Sequence, residues 1–243
     1  MLGHTHAVSG MTAGAALLPF VPVSDSAAQL AWVACCGGMA LLPDLDHHKS
    51  TATQMWGPLS AVLARIVKWL GCGHRGGTHD VIVAPLAFGL AAYAASFHRW
   101  ASMVVIALAI GLALRACHFV IPGNAEKSWP INLLVSAGAA WWLVDHGAAA
   151  GATWLPYAVG IGVLVHIVGD ALTEGGVPRP FSWFDGKPNR MRGGPLTTGR
   201  WYEHVLAGGF VCLTMWLLAT NVADFAVWID YFTGGGQQMQ ATK

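Results

Sequence analysis

Six small groups of histidine and acidic residues stand out from a chain that is otherwise apolar. Asp44, Asp46 and His47 fall within four residues. Two carboxylates and an imidazole so close together suit a hard or borderline divalent cation. Read only as a loop, the same segment offers an aspartate to cap a helix after Pro43. His74 and His79 flank Arg75, Gly76, Gly77 and Thr78. Glycines there let backbone approach a ligand closely, and Arg75 carries the fork that clamps an anionic group. His166, Asp170 and Glu174 are spaced by four, so a helix would line them along one stripe. The first two lie in or at the edge of an apolar run, where a charge costs at least ~2.5 kcal/mol unless it is paired, metal-bound or faces a polar cavity. His118 shares a helical face with Arg115 and serves equally well as a packed, hydrogen-bonded histidine. Glu203 opens the last apolar run and reads as a ligand, a general base or a carboxylate that satisfies a helix N-terminus. His4 and His6 stand near the start of the chain.

The elements that must position these groups are membrane helices. Hydrophobic residues make up 55% of the 243 and charged residues only 10%, against about 25% charged in a soluble domain. That shortfall argues against a water-soluble globule. The formal net charge of +1 gives no field for a polyanion, so nucleic acid is not expected as a partner. Seven apolar runs approach the roughly 20 residues that a spanning helix needs: 7–23, 27–43, 81–97, 101–121, 131–144, 153–172 and 205–222. Within the polar segment 44–80, residues 56–70 are amphipathic, with Arg65 and Lys68 among apolar neighbours, and predict a helix lying along the interface. The expected fold is therefore all-α: a polytopic membrane helix bundle of six or seven transmembrane helices with one interfacial amphipathic helix. Residues 1–232 form a single integral membrane domain, and residues 233–243 a flexible tail. If every run crosses, one face gathers eleven lysines and arginines and the other only Arg99 and Lys243. That asymmetry places the first face in the cytoplasm. The same face collects the six groups.

The segments LLPDLDH, HRGGTH, HIVGDALTEGGV and TTGRWYEH resemble, in kind and in order, the YdjM-type membrane-bound metal-dependent hydrolases, also called LexA-binding inner-membrane-associated hydrolases. The resemblance extends over about residues 2–204. It implies a multi-helix inner-membrane protein with a divalent metal site and hydrolase activity. Carried onto this chain, its metal-site positions are Asp44, Asp46, His47, His74, His79, His166 and Asp170, with His6 and Glu203 as further members. One position departs from the family pattern: after the second histidine of HRGGTH a hydroxyl residue is usual, and Asp80 stands here.

The number of candidate ligands exceeds the four that one structural zinc takes, so a catalytic site with two divalent ions is expected, zinc, manganese and magnesium being equally compatible. Two ions a few ångströms apart stabilise both the attacking and the leaving oxygen. Asp80 or Glu203 would transfer the proton. Arg75, Arg190, Arg192 and Arg200 would stabilise negative charge on the substrate, with Arg115 and His118 as further substrate contacts. The location points to a membrane lipid or other amphiphilic ester or phosphoester, its head reaching the site from the cytoplasmic interface. Two other classes compete: a metal-ion or proton-coupled transporter, which needs polar groups in both halves of the membrane, and a scaffold in which metal only staples helix ends.

Overall fold

The computed structural model describes residues 1–47, 50, 52–73, 75–118, 128–148, 153–185, 189–191, 193–222 and 225. Eight helices account for most of them: α1 Gly3–Leu17, α2 Ser26–Met39, α3 Pro58–Leu70, α4 Val83–Ser96, α5 Arg99–Ala116, α6 Trp129–Leu143, α7 Leu155–Ala171 and α8 Trp201–Asn221. Among the described residues there is no strand, only the isolated bridges Thr173 to Leu196 and Pro178 to Arg190. The all-α expectation holds, and each apolar run contains one helix. The expected tail at residues 233–243 lies outside the described residues.

Among the described residues, three helical stretches are long and apolar enough to cross a membrane: Ser26–Asp46, Arg99–Ala116 and Trp201–Asn221. This is fewer than the six or seven expected. Val83–Ser96 and Leu155–Ala171 are apolar but shorter. The cause is in the sequence. Pro19 and Pro22 follow α1 and stop it at Leu17, since proline lacks the donor that a continuing helix requires. A helix of 15 residues spans about 22 Å, short of a hydrocarbon core of about 30 Å.

The bundle is organised around α2, which packs against α1, α5 and α7. Trp32, Cys35, Cys36 and Met39 of α2 are fully buried. Small residues permit this crowding. A Cβ on Gly38 would stand 1.9 Å from the Ala109 carbonyl oxygen of α5, and one on Gly162 of α7 would stand 2.6 Å from the Cys36 carbonyl oxygen. In lipid, where apolar burial offers little drive for helix association, such close approach and interhelical hydrogen bonds hold helices together. Thr12 of α1 and Thr214 of α8 lie 2.7 Å apart through their hydroxyls. The Trp32 indole donates to the Gly14 carbonyl at 2.8 Å, and Asn132 of α6 donates to the Gly111 carbonyl of α5 at 3.0 Å.

Helix α3 is the amphipathic element. Pro58 at its first position and the left-handed turn at Gly57, φ 54°, start it two residues later than the pattern suggested. Ser60, Ala64 and Val67 face the protein, while Leu59, Val62, Ile66, Trp69 and Leu70 are exposed. At the end of the bundle away from the histidine clusters, Arg99 pairs with Asp145 at 3.0 Å on the surface.

Replacing Gly38 with leucine is expected to lower the stability of the detergent-solubilised protein by about 1–3 kcal/mol, because a side chain there pushes α2 off α5. A thermal melt of the purified variant beside the parent protein reads this; an unchanged melt would refute the close α2–α5 packing.

Candidate metal centre

Four elements end at one place. The turn Pro43–Asp46 follows α2, the turn Gly77–His79 precedes α4, α7 contributes its last full turn, and α1 its first. Asp46 is 1% exposed. Its Oδ2 accepts from the Arg75 amide at 2.9 Å and from the Thr78 hydroxyl at 2.6 Å, and lies 3.4 Å from His79 Nδ1. The Arg75 backbone takes a left-handed φ of 56° in the loop that Asp46 clasps. Asp46 therefore orients His79, a carboxylate behind an imidazole, and is not among the converging ligand atoms where the sequence put it.

The two central imidazoles have their tautomers set by these neighbours. His166 Nδ1 stands 2.7 Å from the Ala40 carbonyl oxygen, to which it can only donate. His79 Nδ1 faces a carboxylate and the oxygen of a hydroxyl already donating to Asp46. Each ring thus carries its proton on Nδ1 and presents the Nε2 lone pair inward, and the two Nε2 atoms are 3.3 Å apart. Asp170 Oδ2 lies 3.7 Å from His166 Nε2 and 3.8 Å from His79 Nε2, and Asp44 Oδ1 lies 3.8 Å from His166 Nε2. Lone pairs and carboxylate oxygens aimed at one another repel unless a cation lies among them. Among the described residues, two sets meet the geometry of a metal site: His6, His166 and Asp170, and Asp44, His79 and His166. His6 stacks on His166 with ring centroids 4.0 Å apart. It is 1% exposed, and neither of its ring nitrogens makes a hydrogen bond, although Nε2 is 3.3 Å from Asp170 Oδ1. A buried imidazole with both nitrogens unsatisfied, beside a carboxylate, fits a ligand to a cation.

Asp170, 2% exposed, also meets the Met1 amino group at 2.8 Å and the Arg75 guanidinium at 3.1 Å. Arg75 thus reaches the centre through its ion pair with Asp170. The stripe of three is not complete. Helix α7 ends at Ala171, Thr173 folds back on the Asp170 carbonyl, and exposed Glu174 instead accepts from Thr197 at 2.7 Å.

The two expected proton-transfer residues are engaged elsewhere. Asp80 is fully buried, and its oxygens accept from the Ile82 and Val83 amides at 2.9 and 3.0 Å and from the Phe181 amide and Trp183 indole at 2.6 and 3.0 Å. It caps α4 and ties the 181–183 segment to it. Glu203 accepts from the Leu2 amide at 2.5 Å and the Gly199 amide at 2.6 Å, which joins the start of α8 to the start of α1. Arg115 is buried and donates to Gln54 and Ser128. Exposed His118 faces His4, which in turn stacks on His204. Arg190 and Arg200 are exposed, and no hydrogen bond or ion pair among the described residues takes them to the centre. His47 is absent from both ligand sets. His74 and Arg192 lie outside the described residues. The sequence reading passed over Thr78 and the Ala40 carbonyl, which orient the two histidines; Thr78 was in view within HRGGTH, whereas a backbone carbonyl leaves no sequence signal.

Apolar helices around a buried His/Asp cluster define a helical membrane protein with a candidate metal centre. Residues 1–121 match the family model described as YdjM inner membrane protein, and the chain belongs to this family of inner-membrane proteins. The match includes His6, Asp44, Asp46 and His79 and ends before His166 and Asp170. No curated protein and no solved structure matches the chain.

Asp46→Asn should weaken divalent metal binding about 10–100-fold, since the partner behind a ligating histidine tunes its affinity; calorimetric titration with zinc measures it, and an undiminished affinity would contradict the orienting role. Asp80 gives a second prediction. Burial pushes its carboxyl pKa up, but the Val83, Phe181 and Ile82 amides and the Trp183 indole, all donating to the ionised form, more than offset this and hold it below the ordinary carboxylate value. The group therefore stabilises the fold at neutral pH, and this contribution fades as pH falls from about 4 through the lowered pKa. Asp80→Asn should cost about 1–3 kcal/mol at pH 7 and flatten the acid limb of a stability-versus-pH curve.

Proposed function

We propose that this protein is a membrane-embedded metal-dependent hydrolase that cleaves an ester or phosphoester of an amphiphilic lipid at the cytoplasmic face of the inner membrane. The observation that carries the reading is the pair of inward Nε2 atoms, 3.3 Å apart and ringed by Asp44 and Asp170, a set of donors that a bound cation would satisfy. The orientation rests on the crowding of lysines and arginines at the end of the bundle that carries this centre. On this reading all helices but α3 cross, giving seven spans, the short ones by tilt and local thinning of the bilayer.

Both ligand sets run through His166, whose other nitrogen is held by Ala40. The donors described therefore support one ion, where the sequence suggested two. Imidazole and carboxylate together favour zinc or manganese over magnesium. A divalent ion held by these residues supplies Lewis-acid polarisation of an ester oxygen and acidifies a water toward neutrality. His166 and Asp170 would hold the ion together with His6, and His79, whose Nε2 is 3.3 Å from that of His166, would complete the set. Asp46 and the Ala40 carbonyl keep the two central rings in register. Arg75, 22% exposed beside Asp170, offers its remaining donors to an anionic oxygen of the substrate. With Asp80 and Glu203 tied to backbone amides, Asp44 takes the proton of the attacking water and passes it to the leaving ester oxygen; its side chain is 26% exposed at the open edge of the centre.

Purified protein supplied with zinc or manganese should hydrolyse a lipid phosphoester or carboxylic ester, and His166→Ala or Asp44→Asn should reduce turnover by at least about 100-fold. If lipid esters of both classes are offered and no turnover depends on Asp44 or His166, the enzymatic reading is wrong.

A further inference from the structure

A cleft of about 210 Å³ runs along α4 beside the centre. Ala84, Ala87 and Ala91 of one α4 face form its floor with Phe88 beside them, and Leu70 of α3 and the Trp183 indole form its walls. Its inner end is Thr78, the residue whose hydroxyl holds Asp46 and touches His79 Nδ1. From Ala84 to Ala91 the floor extends about 10 Å along the helix. The outer end lies at Ala87 and Ala91, both exposed within the apolar run of α4. The cleft therefore runs from hydrocarbon depth to Thr78, the neighbour of His79, and Arg75 stands three residues before Thr78 in the same loop.

We propose that this cleft seats the hydrocarbon tail of the substrate, and that the substrate is an amphiphile presenting one unbranched chain next to an anionic ester head. The inference rests on the hydrolase reading for what happens at the head, but the seat itself is a binding site with its own signature. Only one chain fits a trench floored by alanines and closed by an indole. Because the chain comes from lipid and not from water, seating it gains little hydrophobic energy; the trench instead aligns the ester with Arg75 and the metal ligands, and alignment raises rate. The proposal also gives Asp80 a purpose that proton transfer does not. One of its oxygens holds the α4 N-terminus and the other holds the Trp183 wall, so it is a positioning residue that keeps the two sides of the trench together.

The test uses the full chain in nanodiscs with zinc and two readouts. The first compares 4-nitrophenyl phosphodiesters carrying a dodecyl or a butyl chain. The second maps labelling by a dodecyl phosphate with a photoreactive diazirine near its chain end. Ala87→Trp fills the trench, and Ala91→Phe, nearer lipid, serves if the first variant does not fold. Zinc binding, which either variant should keep, reports folding. The trench predicts that the dodecyl-to-butyl ratio of kcat/KM falls about ten-fold in the variant, and that labelling of residues 83–91, competed by dodecyl but not butyl phosphate in the parent protein, is lost. Labelling at parental strength in the variant, or without chain-length competition, overturns the seat. If neither ester turns over, the labelling still decides the seat while the hydrolase reading falls alone.

Discussion

A carboxylate at 2% exposure near the end of an apolar helix has to be compensated, and Asp170 recruits its compensation from the whole chain. A charge in that setting persists only with counter-charges and hydrogen bonds of good geometry. Asp170 has the Arg75 guanidinium and the Met1 amino group at hydrogen-bond distance, and the His6, His79 and His166 imidazoles within 4 Å. Those groups come from α1, from the loop between α3 and α4, and from α7 itself. To satisfy one buried anion, the chain must bring three distant segments to the same end of the bundle, and that convergence is what makes a cation-binding centre possible there.

The rest of the architecture serves this convergence. Helix α2 touches α1, α5 and α7 and delivers Asp44 and Asp46 from its end. The close contacts at Gly38 and Gly162 set α2 at backbone distance from its neighbours, and the Ala40 carbonyl that orients His166 is placed by the same packing. Around the centre lies a ring of groups that look catalytic by type but act as fasteners. Asp46 fastens the 75–79 loop, Asp80 fastens Trp183 to α4, and Glu203 fastens α8 to the start of α1. A carboxylate that accepts several backbone N–H bonds is worth more as an anchor than as a base, because those donors stabilise the ionised form and disfavour proton uptake.

The sequence made the helices legible because hydropathy and proline are local signals. Each of the seven runs holds a helix, with ends moved by a few residues where Pro19, Pro58 or Gly57 intervenes. How many of those helices suffice to cross was less legible, because a run of apolar letters does not reveal where the helical turn stops. The centre was legible as a collection of residue types: His6, Asp44, His79, His166, Asp170 and Arg75 all meet. The division of labour among the carboxylates was not. Asp44 and Asp46 differ by two positions and are indistinguishable by composition; only the donors at Arg75 and Thr78 single out Asp46 as the fastener. The fate of Asp80 depended on Phe181 and Trp183, a hundred residues later, and no local pattern connects them.

The clasp around Asp46 has a consequence in time. Asp46, Arg75, Thr78 and His79 are all synthesised within one short stretch and need nothing beyond it to find one another. Asp170 and His166 arrive some ninety residues later on α7. During synthesis the first half of the centre can stand as a preformed cradle in the young membrane chain, and insertion of α7 brings in the remaining anion and imidazole together. The centre is thus divided along the chain into a half that α2 and the 75–79 loop complete between themselves and a half that α7 supplies.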